Sequence, residues 1–286
     1  MVAPRASPGR CGGRTDIGPV WLKDVVLGEG RAKVIVPITG RTAKELQAQA
    51  SDLGSHDLDV VEWRVDFFDD VLDTDAVLAV AEQIVVALGG RPLVFTFRTV
   101  GEGGAKPIEP EAYVALNTAL IESGLIDAVD VQHGFDRAGC DTVIASAKAH
   151  GVAVVGSFHD FSATPPADVI VSHLVAMQER GCDIAKAAFM PVNPGDVLAL
   201  LNATWTMTNE HPSTPVLTMS MAGMGLITRM AAQVVGSCAT FATVGLPSAP
   251  GQVPVEQLQP ILDLLDENLA ADGCGVAPAD GGSGLR

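Results

Sequence analysis

A closed barrel of eight parallel strands and eight helices, (β/α)8, is the fold that the sequence predicts. Three observations lead to it. Short apolar runs alternate with segments of helical length eight times along the chain. The runs are continuously apolar rather than alternating, the pattern of parallel strands covered on both faces. Eight such units fit into about 230 residues, the length at which this barrel closes. The competing doubly wound open sheet usually carries GxGxxG after its first strand, and no such motif stands there.

The elements follow in order. Residues 20–30 precede the first barrel strand and read as a hairpin closing the barrel bottom. Lys33-Val34-Ile35-Val36-Pro37-Ile38-Thr39 is the first strand, with a helix at 42–52. Strands at 58–65, 92–97 and 126–131 are followed by helices at 74–88, 110–123 and 140–150. Strands at 152–158 and 183–188 lead into helices at 167–180 and 195–207. The last two units are a strand at 215–219 with a helix at 224–235, and a strand at 239–244 with a helix at 255–268. Residues 1–18 and 271–286 are rich in Gly and Pro and lack hydrophobic periodicity, so both are read as disordered tails around a catalytic domain at 19–270.

Composition narrows the function. The chain has 286 residues, 48% of them hydrophobic, and a formal charge of −16. That charge argues against nucleic acid and anionic membranes as partners. An anionic substrate must therefore find a local positive cluster in a negative protein. No apolar run reaches the length of a membrane span, and the N-terminus has no apolar core of a secretory signal. The five cysteines (Cys11, Cys140, Cys182, Cys238 and Cys274) are scattered, with no CxxC pair and no zinc spacing. They read as reduced thiols in a cytoplasm.

In this fold, reactive groups stand at the C-terminal ends of strands and in the loops beyond them. On the second strand Leu58, Val60, Glu62 and Arg64 share a parity, with Asp66 following. If that face is the interior, two opposite charges project into the barrel, and a Glu62–Arg64 pair is expected because buried charges are costly alone. Arg98 ends the third strand, before the loop carrying Glu102-Gly103-Gly104. His159 follows the fifth strand in Ser157-Phe158-His159-Asp160-Phe161, where imidazole suits proton transfer near neutral pH. Lys186 lies among alanines on the sixth strand, sharing parity with Cys182 and Ile184. Desolvation penalises an ammonium, and a neutral lysine amine forms Schiff bases with ketones. The same lysine also suits a strand end, reaching to water. Arg229 comes after the seventh strand, and Ser248 and Gln252 come after the eighth. Guanidinium groups bind carboxylate or phosphate bidentately. No clustered His or carboxylate pattern calls for a metal.

Six stretches together resemble one family. They are Glu62-Trp63-Arg64-Val65-Asp66; Phe95-Thr96-Phe97-Arg98-Thr99 with Glu102-Gly103-Gly104; and Ser157-Phe158-His159-Asp160-Phe161. The others are Lys186 with Met190-Pro191; Thr218-Met219-Ser220-Met221 with Arg229; and Ser248-Ala249-Pro250-Gly251-Gln252. Over residues 20–268 the chain resembles type I 3-dehydroquinate dehydratase, with these motifs in order and in spacing. The resemblance implies a (β/α)8 barrel, usually a homodimer, that dehydrates 3-dehydroquinate to 3-dehydroshikimate in the shikimate pathway without metal or cofactor. It implies that Lys186 forms the Schiff base, that His159 is the general acid and base, and that Glu102 orients the histidine. Arg229 would pair with the substrate carboxylate, and Glu62, Arg64, Arg98, Ser248 and Gln252 would contact its hydroxyls and carboxylate. Pro37 departs from the pattern, since some members have a serine there that can contact substrate. A class I Schiff-base aldolase on the same barrel is the alternative.

Overall fold

The computed structural model describes residues 18–245 and 247–271. The two tails expected to be disordered therefore lie outside the described residues, apart from Gly18 and Ala271. Ala271 belongs to the final helix rather than to a tail.

A two-stranded antiparallel hairpin, β1 (Val20–Leu22) and β2 (Val25–Leu27), precedes the barrel. The barrel strands are β3 (Lys33–Ile38), β4 (Val60–Arg64), β5 (Leu93–Thr96), β6 (Ala128–Gln132), β7 (Ala153–Asp160), β8 (Ile184–Phe189), β9 (Val216–Ser220) and β10 (Ala239–Phe241). They pair in parallel in the order β10-β3-β4-β5-β6-β7-β8-β9. The Cys238 N–H donates to the Val216 carbonyl at 2.8 Å and brings the ends of this sheet together. The helices are α1 (Ala43–Asp52), α2 (Thr74–Leu88), α3 (Pro110–Ser123), α4 (Arg137–His150), α5 (Ala167–Glu179), α6 (Pro194–Glu210), α7 (Leu226–Met230), α8 (Ala232–Val235) and α9 (Val255–Ala271). Side-chain caps fix several starts: Thr42, Asp73, Asp136 and Asn193 each accept a backbone N–H of the first turn.

Parity divides every strand between two cores. Val34, Val36, Val61, Trp63, Phe95 and Val129 face outward and pack under the helices. Ile35, Val60, Val94, Ala128, Val155, Ile184 and Leu217 face inward and fill the lower barrel, where Leu22 and Leu27 of the hairpin join them. At the hairpin turn Lys23 sits 3.1 Å from the carboxylate of Asp127, at the start of β6. The hairpin thus closes the bottom, as expected. The inward positions above this apolar layer are polar.

A repeated device secures the lower rim. Asp59, Asp127 and Asp183 stand just before β4, β6 and β8. Each accepts a backbone N–H from the first two residues of the preceding strand: Val34 at 2.7 Å, Leu93 at 2.8 Å and Val154 at 2.8 Å. Those donors have no rung of the sheet below them, and a buried unmatched N–H is costly.

Three expectations change. The last strand stops at Phe241 instead of residue 244. On β3 the N–H groups of odd-numbered residues face β10, as the Lys33 N–H donating to the Cys238 carbonyl shows. Pro37 occupies the position of the next donor, so the ladder has no rung with which to continue. The helix expected at 224–235 is two short ones, broken at Ala231 with φ −101° and ψ 19°. Cys182 precedes β8 and packs in the outer core against Gly156, so it does not share the inward face of Lys186. No helix among the described residues is long and apolar enough to cross a membrane.

Replacing Asp183 by alanine orphans the Val154 N–H, whose residue is fully buried. The expected loss is about 1–3 kcal/mol of stability, read as a lower urea midpoint with unchanged slope. An unchanged midpoint would show that the rim aspartates do not secure the strands.

Candidate active site

The upper mouth of the barrel holds a cavity of about 220 Å³. Glu62, Arg64, Arg98, Glu102, His159, Lys186, Arg229, Ser248 and Gln252 all line it, so the structure brings together every residue the sequence singled out. Their carriers differ. Glu62 and Arg64 lie on β4, His159 on β7 and Lys186 on β8. Arg98 and Glu102 lie beyond β5, Arg229 on α7, and Ser248 and Gln252 in the loop after β10. β7 runs to Asp160, two residues past its expected end, and this keeps His159 on the strand beside Ala188.

Lys186 is 4% exposed, so it does not reach out to water. Its Nζ is 3.3 Å from Glu62 and 3.1 Å from Asp130, and 4.7 Å from the centre of the Phe241 ring. The alanines around it in sequence are not what surrounds the amine in space. Two carboxylates and an aromatic face do.

His159 and Glu102 form a pair. One Glu102 oxygen lies 2.9 Å from His159 Nδ1 and also accepts the His159 backbone N–H at 3.1 Å. Burial penalises the charged form of each. It pushes the Glu102 carboxyl up to about 7, against the nearby Arg98 charge. Burial also takes His159 well below its ordinary value, helped by the positive charges of Arg98, Lys186 and Arg64. His159 is therefore neutral at neutral pH. With Nδ1 donating to Glu102, Nε2 is left as the proton acceptor.

The three arginines have unlike surroundings. Arg64 does not pair with Glu62, as parity suggested. It forms a two-pronged bond with Asp66, Nε to Oδ1 at 2.8 Å and Nη2 to Oδ2 at 2.9 Å. The short 3₁₀ turn at Val65–Phe67 brings Asp66 back alongside the guanidinium, which i,i+2 spacing on a straight strand leaves to Glu62 only by parity. Asp66 also accepts the backbone N–H groups of Arg98 and Ala105, and so holds both ends of the loop that carries Glu102. Gly104 in that loop lies against the Arg98 carbonyl, where an added Cβ would be 1.8 Å from the oxygen. Arg98 is spent on Asp130 at 2.8 Å, Ser157 at 2.9 Å and Glu102 at 3.4 Å.

Arg229 is 1% exposed, and its contacts are the Met219 sulfur at 3.5 Å and the Pro250 carbonyl at 3.2 Å. Its Nε has no hydrogen-bond partner, and no acidic side chain among the described residues pairs with it. Burial lowers its pKa to about 10. A buried guanidinium without a counter-charge, facing a cavity, is a place for an anion. Above it, the Ser248 N–H and hydroxyl meet the Gln252 side chain at 2.8 Å and 3.3 Å, which draws the loop after β10 together.

Several residues of the site were not singled out from the sequence. Asp130 and Ser157 form a bonded pair beneath it, Gln132 holds Thr99, and Asp66 organises its edge. Asp130 left a signal, a lone carboxylate inside the apolar run Ala128-Val129-Asp130-Val131. Phe161, whose ring lies over Gly103, left none beyond its motif. Pro37 does not line the cavity. Among the described residues, no group of three or more His, Cys, Asp and Glu side chains is arranged to hold a metal ion.

The chain is similar to known proteins over most of its length. A family model described as Type I 3-dehydroquinase matches residues 34–269. The chain is 42% identical over 250 residues to a 3-dehydroquinate dehydratase of Bacillus licheniformis, covering 87% of this chain and 98% of that one. It is 45% identical over 246 residues to the 3-dehydroquinate dehydratase of a Listeria monocytogenes serotype 4a strain, covering 86% and 97%. Its fold is similar to the crystal structure of a type I 3-dehydroquinate dehydratase from Clostridium difficile with covalent modified comenic acid. There the TM-score is 0.86 and the identity 40%, over 88% of this chain and 99% of that one.

Replacing Asp66 by alanine strands the Arg64 charge in a buried setting and frees the loop before Glu102. The expected cost is roughly 3–5 kcal/mol of stability, measured by urea unfolding. A loss below about 1 kcal/mol, typical of an exposed pair, would contradict the buried pairing.

Proposed function

The chain belongs to the type I 3-dehydroquinase family and is a hydro-lyase of the shikimate pathway that removes water from 3-dehydroquinate; we propose that it does so through an imine on Lys186, with His159 moving the protons. The observation that carries this reading is the meeting of three groups at one cavity. They are the Lys186 amine, the His159–Glu102 pair, and an Arg229 guanidinium without a counter-charge. Family membership displaces the aldolase alternative.

The substrate is a cyclic ketone with a carboxylate. Arg229 takes the carboxylate, and the anionic ligand supplies the charge this site lacks. Arg64, held by Asp66, and Glu62 reach the ring hydroxyls. Ser248 and Gln252 close over the ligand from the loop after β10. Arg98 lines the cavity but serves chiefly to hold Asp130 and Glu102 in place. The Lys186 amine in its neutral form attacks the C3 carbonyl carbon. His159 relays protons so that the carbinolamine oxygen leaves as water and a protonated imine forms. The imine acidifies the C2 hydrogen, which His159 Nε2 removes to give an enamine. The enamine expels the C1 hydroxyl, protonated by His159, and hydrolysis then frees the enone and the amine. Glu102 fixes the tautomer and orientation of the ring throughout. A positioned proton transfer of this kind is worth about 10²–10⁴ in rate.

The partner is thus a small carboxylate, and the charge of −16 gives no support for nucleic acid or an anionic membrane. We place the enzyme in the cytoplasm, where the thiols Cys140, Cys182 and Cys238 stay reduced. The homodimer implied by the family resemblance belongs to the same proposal.

Two measurements test it. Borohydride added to enzyme and 3-dehydroquinate should leave a reduced adduct on Lys186, and Lys186→Ala should lose more than roughly 10³-fold in kcat. An adduct on another residue, or none in an active enzyme, would refute the imine. Arg229→Ala should raise KM about ten- to a hundredfold, the factor of a lost charge-assisted bond. A KM that hardly moves would assign the substrate carboxylate elsewhere.

A further inference from the structure

Asp130 is fully buried on the inward face of β6, and the reaction above gives it no part. It does not line the substrate cavity. It lines instead a narrow void of about 10 Å³ beneath Lys186, bounded below by Leu22 and Leu27. One carboxylate oxygen, Oδ2, lies 3.1 Å from Lys186 Nζ and 2.8 Å from Arg98 Nη2. The other, Oδ1, accepts the Ser157 hydroxyl at 2.6 Å, and that hydroxyl accepts from Arg98 at 2.9 Å.

We propose that Asp130 is a further catalytic residue, the fixed counter-ion of the protonated imine, accepting the N–H that the imine nitrogen keeps. The inference rests on the imine reading and deepens it. When the Nζ lone pair bonds to the carbonyl carbon, the π pair moves to oxygen, which takes a proton. That proton is the one that Nζ gives up through His159; the hydroxyl leaves as water with a second that His159 relays from water in the cavity, and C=N⁺–H remains. The nitrogen then carries one hydrogen and a full positive charge in a site closed to solvent. Loss of the C2 proton turns it into a neutral enamine, and expulsion of the C1 hydroxyl restores the charge.

Such a charge is stabilised most by an opposite one that is already oriented, since nothing then has to reorganise as the charge develops. Asp130 meets that condition. Its bonds to Arg98 and Ser157 do not involve the lysine, so the carboxylate stays in place at every stage. Burial alone would raise its pKa, but the charges of Arg98 and Lys186 and the Ser157 hydroxyl hold the carboxyl below the usual range. Glu62 is the other carboxylate near Nζ. It lines the cavity, bonds to no arginine and is bound by the Thr96 hydroxyl, so it is the one exposed to substrate. Glu62 lines the lower void as well, but of the two carboxylates Asp130 alone stays out of the substrate cavity.

Borohydride reduces the protonated imine, so trapping on Lys186 with 3-dehydroshikimate reads its population. An active wild-type enzyme that gives no adduct removes the imine reading itself, and this inference with it. Once the wild-type adduct is established, Asp130→Asn, nearly isosteric but uncharged, tests Asp130 alone. The trapped fraction should fall roughly ten- to a hundredfold. The alkaline limb of trapping should move down by about one pH unit or more. The other charged groups around Nζ, Glu62, Arg64, Arg98, Glu102 and His159, are the same in both proteins. Product affinity in a Lys186→Met background, where no imine forms, should change less than about threefold on adding Asp130→Asn. Unchanged trapping overturns the proposal. So does a parallel fall in trapping and product affinity with the limb in place, the outcome of a merely structural role. If Asp130→Asn does not fold, Ser157→Ala keeps the charge but removes the hydroxyl that aims it. Trapping that falls about threefold or more, with the limb displaced downward, then supports the counter-ion. Trapping and limb both unchanged overturn it.

Discussion

The bond between Arg98 and Asp130, 2.8 Å long and closed to solvent, is the interaction on which the site depends. Asp130 lies beside the lysine amine, and Arg98 reaches on to Glu102 and so to His159. The nucleophile and the proton carrier are thus two ends of one chain of bonded polar groups, Lys186–Asp130–Arg98–Glu102–His159. Buried charges survive only when paired and bonded. Each member is held by its neighbours, and none is free to turn away from its task. Burial works against the Arg98 charge, but Asp130, Glu102 and Glu62 hold its pKa above that of an ordinary guanidinium.

Arg229 is the exception, and the exception has a use. Its charge is buried with only a thioether and one carbonyl beside it. A structure that otherwise matches its inner charges leaves this one for an anion to match. Binding of an anionic substrate then completes the electrostatics of the upper barrel instead of disturbing it. The chain as a whole is acidic, so this one unmatched positive charge also distinguishes the mouth from the surrounding surface.

The rest of the barrel is arranged to keep that polar layer still. Below it lie apolar side chains from the strands, plugged by Leu22 and Leu27. The rim aspartates Asp59, Asp127 and Asp183 secure β3, β5 and β7 from beneath. Rigidity is supplied at the bottom and chemistry at the top, a division common to barrels of this kind. The glycines at 103 and 104 let the loop bearing Glu102 press against Phe161 and the Arg98 carbonyl, with no room for a Cβ.

The sequence by itself determined the barrel, because periodicity and apolar runs are local properties that neighbours along the chain decide. It also determined which strand residues would face the mouth, since parity is fixed by the pleat once the inner face is known, and the motif resemblance supplied those in the loops. All nine site residues named from sequence line the cavity. What it could not decide was pairing. Glu62 and Arg64 share a parity, yet the turn at Asp66 takes Arg64 and leaves Glu62 to Lys186. Asp130 read as part of a strand, because its partners lie 27, 32 and 56 residues away in sequence. Nor did the alanines beside Lys186 describe its surroundings, which come from β4, β6 and β10. Charge partners are chosen through space, across strands, and only the closed barrel brings those strands to one point.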